Sequence, residues 1–420
     1  MNANSKVTLV RGYMRAIRSP SEYVTITYAG VGASLLGSVF VVRALGASGR
    51  GVLAFVVVSA SYLTLVTGLG VPLSVRLSAA RSGSDLPGLM GVVKRSGLVA
   101  TLLCAAVALP LAFFLGQDLR GTGQVAVFLV MLSCGLAVVG IGNTQILAAS
   151  GRQRELAISR TIPSVAVAVT TGILAVLGIL PLALAIALLA IRPLLEVIIS
   201  KRWLPQPRSG SAMGPHIRSG IGLLPLQLAE SSVGRLDQLM LLPLIGASEL
   251  GVYAVVVSIV TLPFAFTQAS INKWFGSSVR ETNASLASLL GKLLATIAIT
   301  AVPLLPVVVL APLLLPVVFG NDFEGRASLV MVLGLSTLLL SGCFAGNYLL
   351  LAIGSTRMTV LPWAMGTAAT IISLPIVAPR FGIVGAAWVS VASYAIVLAG
   401  FVALLRIVVP RHRKVSRDPC

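Results

Sequence analysis

Long apolar stretches alternate with short polar segments along almost the whole chain. A helix needs about twenty apolar residues to cross the hydrocarbon core of a bilayer. The pattern predicts an all-α polytopic membrane protein with about twelve transmembrane helices. The predicted spans are residues 22–42, 51–75, 96–116, 124–149, 161–179, 181–200, 219–245, 251–272, 289–315, 327–352, 358–378 and 382–405.

The composition agrees with a chain that lies mainly in lipid. Hydrophobic residues make up 57% of the sequence and charged residues only 10%, which is less than half the charged share of an average soluble protein. So few charged groups could not cover a surface that faces water. The sequence therefore argues against a soluble enzyme.

The basic residues are distributed unevenly between the two sides of the predicted membrane. With the N-terminus in the cytoplasm, 24 of the 31 Lys and Arg residues fall in inner segments and five in outer loops. Cytoplasmic loops carry the excess of Lys and Arg in membrane proteins, so this asymmetry predicts an even number of spans and two cytoplasmic termini. The net charge of +19 then fits the anionic inner leaflet better than nucleic acid, because the basic residues lie in short gaps between apolar stretches.

Two short patterns recur in the two halves of the chain. Residues 46–57 and 246–257 share eight of twelve identities, and Gly142-Asn143 recurs as Gly346-Asn347. Six predicted spans separate the partners, so the two halves have the same orientation. Parallel repeats of this kind place a substrate site between the halves, near the membrane midplane.

We therefore expect two parallel six-helix lobes around a central cavity. The predicted segments are a basic cytoplasmic N-terminus at 1–21, a first lobe at 22–200, a cytoplasmic linker at 201–218, a second lobe at 219–405 and a basic tail at 406–420.

Span 7 carries the largest group of polar residues within an apolar stretch. Gln227, Glu230 and Asp237 lie on one helix face by their spacing, Gln238 flanks them, and Arg235 points away from them. Ionisable groups inside a membrane are costly and usually face a wet cavity or a partner. One hypothesis is a cavity wall, in which the carboxylates serve a cation and Arg235 a phosphate. The alternative is a structural tie between Arg235 and an acid on another helix.

Span 6 holds a second pair of ionisable residues. Arg192 and Glu196 are four residues apart and could pair on one helix, with Pro193 between them as the predicted site of a kink. A gating role is the alternative to a local neutral pair. Asn143 and Asn347, near the inner ends of spans 4 and 10, are expected to form hydrogen bonds between helices.

The sequence contains no pattern that indicates catalysis or a metal site. Cys104, Cys134 and Cys343 lie in apolar stretches without a CxxC pair, and His216 and His412 lie in basic loops. Walker, HExxH and GxSxG motifs are absent. We expect no catalytic residue, no metal and no cofactor.

A series of short motifs follows in order along nearly the whole chain. They are Leu45-Gly46 with Gly49-Arg50-Gly51; Arg235-x-Asp237; Leu244-Ile245-Gly246; Leu250-Gly251-x-Tyr253; Phe319-Gly320 with Phe323; Leu351-Ala352 with Gly354 and Arg357; and Phe381-Gly382-x-x-Gly385-Ala386-Ala387. Their order and spacing resemble those of bacterial polysaccharide flippases, the Wzx-type members of the multidrug/oligosaccharidyl-lipid/polysaccharide exporter superfamily.

The resemblance implies a fold, an activity and a set of partners. It implies that a lipid-diphosphate-linked oligosaccharide moves from the inner to the outer leaflet of the bacterial cytoplasmic membrane by alternating access, with Arg235 and Arg192 as candidates for a cationic cavity. The implied partners are a lipid-linked glycan, membrane lipids, a coupling cation (H+ or Na+) and polysaccharide assembly proteins. The alternatives are an ion-coupled drug or cation antiporter of the same superfamily and a membrane polymerase or glycosyltransferase; the short outer loops argue against the latter.

The charge asymmetry generates a topology prediction. Reporter fusions after residues 85, 155, 210 and 285 should report a cytoplasmic location, and fusions near 47, 120, 248, 322 and 380 an external one. Paired reporters that are active on opposite sides of the membrane provide the control at each position. An external location for residue 210 would contradict the arrangement in two six-helix halves.

Overall fold

The fold is all-helical throughout the part of the chain that the structure describes. This computed structural model describes residues 3–82, 85–115, 122–208, 212–268, 270–271, 285–352 and 358–417. The helices are α1 (Ala3–Thr67), α2 (Val71–Ser82), α3 (Leu86–Leu115), α4 (Thr122–Ala149), α5 (Gln153–Val176), α6 (Leu182–Leu189), α7 (Ile191–Ser200), α8 (Gly214–Ile245), α9 (Ala247–Val260), α10 (Leu286–Phe319), α11 (Ala327–Ala352) and α12 (Val360–Arg417). The predicted all-α fold with many apolar helices is confirmed. Gly354 and Arg357 of the sequence motifs lie outside the described residues.

Two of the helices are long enough to hold two predicted spans each. Gly46 interrupts α1 with a φ of 71°, and Gly382 interrupts α12 with a φ of 61°; a side chain would disfavour both conformations. Among the described residues, eight helices are long and apolar enough to cross a membrane, including α1 and α12. With α1 and α12 each counted as two arms, and with α8 and α9 added, each of the twelve predicted spans contains helix among its described residues.

Three predicted spans are not continuous helices. In span 8, α9 ends at Val260 and residues 261–263 form a turn. Span 2 was expected to run to residue 75, but the helix ends at Thr67 and α2 starts at Val71, because Leu69 and Gly70 adopt positive φ angles. Span 6 is broken between α6 and α7. Pro193 has no N–H to donate to the carbonyl of Leu189, where α6 ends, and Ala190 between the two helices keeps a helical φ of −69° and ψ of −22°.

The chain forms two compact units. The first contains residues 1–44 and 59–224, and the second contains residues 45–58 and 225–420. The division within the second half of the chain falls inside α8 and not in the linker at 201–218. Segment 45–58, which begins next to the glycine turn of α1, packs with the second unit.

Helix α4 is the centre of the first unit. Gly97 of α3 lies against Val139, and Val93 lies against Gly142, so α3 and α4 run antiparallel. The first arm of α1 instead runs parallel to α5, because Gly30 lies against Thr161 and Gly37 against Ala168. Small residues at these contacts allow the close approach that drives helix association in lipid.

The second unit repeats this arrangement. Helices α10 and α11 run antiparallel, with Gly334 against Val308 and Gly342 against Ile297, as α3 and α4 do in the first unit. Helix α8 runs beside the first arm of α12, where the Thr367 hydroxyl donates to the Ala229 carbonyl at 3.3 Å. This contact corresponds to that between α1 and α5, at an offset of about 200 residues.

The two arms of α12 form an antiparallel hairpin around Gly382. Gly400 lies against Pro362, Gly366 lies against Val397, and Thr370 Oγ1 donates to Ser393 Oγ at 2.9 Å. In each pair the two residue numbers add to nearly the same total, so the arms run in opposite directions.

The two copies of the longer sequence repeat contact each other within the second unit. Gly46 and Gly246 share the same backbone conformation, with φ of 71° and ψ of 179° in one and φ of 88° and ψ of 170° in the other. A Cβ on Gly51 would overlap the carbonyl of Ala247, and a Cβ on Gly251 would overlap the carbonyl of Ala47. A reciprocal contact of this kind is typical of self-complementary interfaces, and only glycine fits at either position.

Alanine at either of these glycines should destabilise the protein. Gly51→Ala and Gly251→Ala each force a methyl group against a backbone carbonyl, an overpacking that typically costs about 1–3 kcal/mol. The melting temperature of the purified protein and its yield as a monodisperse species should both fall.

Gly291→Ala is the matched control, because nothing lies within 4 Å of a Cβ built at Gly291 and alanine favours a helix over glycine. Wild-type melting of both Gly51→Ala and Gly251→Ala would contradict the contact.

Candidate functional site

Asp237 forms the centre of a buried polar cluster in the second unit. Its side chain, on α8, is 4% exposed. Tyr253 of α9 donates its hydroxyl to Asp237 Oδ2 at 2.5 Å, and the Ser390 hydroxyl of α12 lies 3.3 Å from the same oxygen. The backbone N–H of Gln238 donates to Oδ1 at 2.7 Å. The carboxyl group therefore joins three helices of this unit.

The donors around Asp237 suit a carboxylate. An ionised carboxyl group only accepts hydrogen bonds, and both of its oxygens here have donors. Among the described residues, no Lys or Arg forms an ion pair with it. Burial of a charge is costly unless hydrogen bonds or an opposite charge stabilise it, so the tyrosine and serine hydroxyls are the groups on which this charge depends.

The polar stripe of span 7 lies at the border between packed and open parts of α8. Leu226, Ala229 and Val233 belong to the face that packs on the core of the second unit. Asp237 continues that face, whereas a Cβ at Gly234 would meet no atom within 4 Å. One edge of the stripe, at Asp237, therefore lies in the protein interior. The other edge, at Gly234, faces open space.

The other candidates on α8 are less enclosed. Gln227, Glu230 and Gln238 are partly buried, and Arg235 is exposed. A helix turns about 100° per residue, which places Arg235 roughly opposite the packed face formed by Leu226 and Val233. The structure therefore separates Arg235 from Asp237, although only one residue lies between them.

The candidates of span 6 lie together in the first unit. Glu196 is partly buried on α7 and packs over Gly140 of α4. Its carboxylate interacts electrostatically with Arg192, one turn earlier, and with Arg160 of α5. Glu196 therefore lies near two basic residues on different helices. The sequence predicted Arg192 only.

The buried asparagines of α4 and α11 occupy equivalent positions in the repeat. Asn143 donates from Nδ2 to Ser200 Oγ at 2.9 Å, which confirms the predicted hydrogen bond between helices for this residue. Asn143 is 1% exposed and Asn347 is 2% exposed. For each, the Oδ1 atom is buried and has no hydrogen-bond partner among the residues that the structure describes.

The partners of the buried groups carry no clear signal in the sequence. Tyr253 and Ser390 are hydrogen-bond partners of Asp237, and only Tyr253 belongs to one of the sequence motifs. The ion pair of Glu249 with Arg326, at 3.1 Å, joins the start of α9 to the start of α11 and was also missed. No group of three or more His, Cys, Asp and Glu side chains suited to a metal occurs among the described residues.

Comparisons with solved structures show a shared fold. The lipid II flippase MurJ, in an inward closed conformation, has 13% sequence identity and a TM-score of 0.72, with 91% of this chain and 87% of that chain covered. The MATE multidrug transporter DinF-BH has 16% identity and a TM-score of 0.68 over 92% and 94% of the chains. An inward-facing MATE transporter of the same superfamily has 15% identity and a TM-score of 0.61 over 95% and 96%.

The apolar helices indicate a multi-pass membrane protein, and its fold is the one found in these solved structures of transporters. A family profile described as polysaccharide biosynthesis protein matches residues 40–328, which is more than half of the chain. The chain belongs to this family, and the resemblance found in the sequence is confirmed. No curated protein sequence matches the chain.

A double-mutant cycle tests the hydrogen bond from Tyr253 to Asp237. Tyr253→Phe removes the donor and leaves a buried charge with less support, so it should cost about 1–3 kcal/mol of unfolding free energy. In an Asp237→Asn background the same change should cost clearly less, because the amide carries no charge. Melting in detergent measures both effects.

Serine variants of α12 provide the control for this cycle. Ser390→Ala should lower the melting temperature, whereas Ser373→Ala should leave it nearly unchanged, because Ser373 donates only to the carbonyl of Ala369 in its own helix. An equal cost of Tyr253→Phe in both backgrounds would show that the two side chains do not interact.

Proposed function

We propose that the protein flips a lipid-diphosphate-linked oligosaccharide from the inner to the outer leaflet during cell-surface polysaccharide biosynthesis. The main observation in favour is the match to the polysaccharide biosynthesis family over residues 40–328, in a chain with the fold of transporters that include a lipid II flippase. The activity would use alternating access in the bacterial cytoplasmic membrane, with both termini in the cytoplasm.

The polar side of α8 supports this proposal. Gln227, Glu230 and Gln238 are partly buried and Arg235 is exposed. A guanidinium group binds the oxygens of a phosphate through paired hydrogen bonds, which suits Arg235 to the diphosphate of the substrate. The amides and Glu230 suit the hydroxyl groups of sugars.

Arg192 and Glu196 are candidates for a different step. Glu196 lies close to Arg192 and Arg160, so any change in the distance between α5 and α7 alters the balance of charge around it. In the proposed cycle this group contributes to gating and does not contact the substrate.

An ion-coupled drug or cation antiporter is the second candidate. The observation in its favour is the cluster of Asp237, Tyr253 and Ser390, because a buried carboxylate with two hydroxyl oxygens can take up a proton or Na+. The same cluster could also supply a coupling cation to a flippase. Drug efflux without any effect on surface glycan would favour the antiporter.

We infer that the protein carries out no chemical step itself, so other enzymes must make the precursor that it transports. The alternative hypothesis is a membrane polymerase or glycosyltransferase. A transporter and a synthetic enzyme differ in which lipid-linked intermediate accumulates when the protein is absent. Polysaccharide assembly proteins would act after the transport step.

Deletion of the gene provides the test. Surface glycan should be lost while its lipid-linked precursor continues to be made and accumulates in the inner leaflet, because only the transfer step is missing. Extraction of lipid-linked sugars, together with their accessibility to a reagent that cannot cross the membrane, measures both quantities. Absence of the precursor itself would contradict the proposal and favour a synthetic enzyme.

Complementation of the deletion with variants of α8 tests the role of Arg235. Arg235→Lys keeps the charge but loses the planar fork, and it should restore much less surface glycan than wild type at equal protein level. Arg43→Lys, at an exposed arginine of α1, serves as the control and should restore the wild-type amount. Full complementation by Arg235→Lys would remove Arg235 from the substrate site.

A further inference from the structure

A pocket lies at the edge of the first unit, where four of its helices end. Helix α3 starts at Leu86, α4 ends at Ala149, α5 starts at Gln153 and α7 ends at Ser200. The pocket has a volume of about 580 Å³ and is lined by Arg152, Arg202, Trp203, Leu86, Pro87 and Leu204, among others. Because apolar helices end here, the pocket lies where the chain leaves the hydrocarbon core.

Contacts of the linker build this pocket. Arg152, in the turn between α4 and α5, donates from Nη1 to the Trp203 carbonyl at 2.6 Å. The backbone N–H of Arg208 donates to the Pro87 carbonyl at 2.9 Å, and the Arg208 carbonyl packs so closely on Gly91 that a Cβ there would overlap it. The linker segment is thus held against α3 and α4–α5 by backbone contacts.

The lining combines two kinds of chemistry. Arg152 and Arg202 are exposed, so their guanidinium groups are accessible, and only one N–H of Arg152 is used by the Trp203 carbonyl. Trp203 is partly buried and belongs to the residue type that concentrates at the membrane–water interface. Leu86, Pro87 and Leu204 supply an apolar wall.

The ligand that matches this lining is both anionic and amphiphilic. Guanidinium groups pair with phosphate oxygens with defined geometry, and basic pockets at the cytoplasmic ends of transmembrane helices suit lipid headgroups. A bare inorganic phosphate would leave the apolar wall of Leu86, Pro87 and Leu204 without contacts.

We propose that this pocket binds the phosphate headgroup of a lipid at the membrane surface, with Arg152 and Arg202 on the phosphate and Trp203 beside the first carbons of the chains. No residue that lines this pocket belongs to α8 or to the buried cluster of Asp237. Bound lipid would strengthen the attachment of the linker to α3. The phosphate belongs either to an anionic phospholipid or to a polyprenyl diphosphate carrier; the second case alone depends on the proposed function.

Lipid titration of the purified full-length protein tests the proposal. Native mass spectrometry would measure the binding of phosphatidylglycerol, polyprenyl diphosphate, phosphatidylcholine and inorganic phosphate. We expect saturable binding of at least one of the two anionic lipids, and the tighter one identifies the source of the phosphate. Equal binding of phosphatidylcholine, or occupation by inorganic phosphate alone, would overturn the lipid assignment.

Charge-preserving variants separate a built site from general attraction to basic residues. The double variant Arg152→Lys/Arg202→Lys retains the net charge but loses paired hydrogen bonds, so binding should weaken about tenfold, the usual effect of losing a hydrogen bond to a charged group. Arg154→Lys/Arg218→Lys changes two exposed arginines that do not line the pocket and should bind as wild type does.

A reporter inside the pocket provides the second measurement. Phospholipid with brominated chains should quench the fluorescence of the wild-type protein more than that of Trp203→Phe, because Trp203 lies beside the bound chains. Equal quenching in the two proteins, or wild-type affinity in Arg152→Lys/Arg202→Lys, would overturn the site. The melting temperature in phosphatidylcholine should be the same for all variants, which excludes misfolding as the cause of any loss.

Discussion

Hydrocarbon cannot satisfy a polar group, and this constraint governs the contacts within each unit. Apolar helices gain little by moving from lipid tails to one another, so their association depends on close packing and internal hydrogen bonds. Both devices recur here. Glycines allow α3 to approach α4 and α10 to approach α11, whereas Asn143 with Ser200 and Asp237 with Tyr253 place polar bonds between helices.

The sequence predicts the helices better than their interruptions. The predicted tenth span coincides with α11, Ala327–Ala352, because polar residues flank an apolar stretch on both sides. The break at residues 68–70 could not be found by hydropathy, since apolar residues continue across it. It depends on the close approach of Gly70 to Gly220, a contact between residues 150 positions apart.

The same limit applies to the candidate site. Helical spacing placed Asp237 correctly on one face with Glu230, but spacing alone could not show which side of that face is packed. Ser390 lies 153 positions away from Asp237, so its role depends on the tertiary fold. The sequence of the linker shows only its charge and its proline content, so it could not predict the pocket. Arg152 and Trp203 become neighbours only because four helices end at the same place.

The glycine turn of α12 has a consequence for how the protein enters the membrane. The arms on either side of Gly382 pair closely from Pro362 to Gly400. Gly382 alone forms the turn, and Arg380 is the charged residue next to it. During synthesis, translocation of hydrophilic chain across a bilayer is the step that requires dedicated machinery and energy. A hairpin with so short a tip presents almost nothing hydrophilic to carry across, so its two arms can partition into the lipid together, as one apolar body.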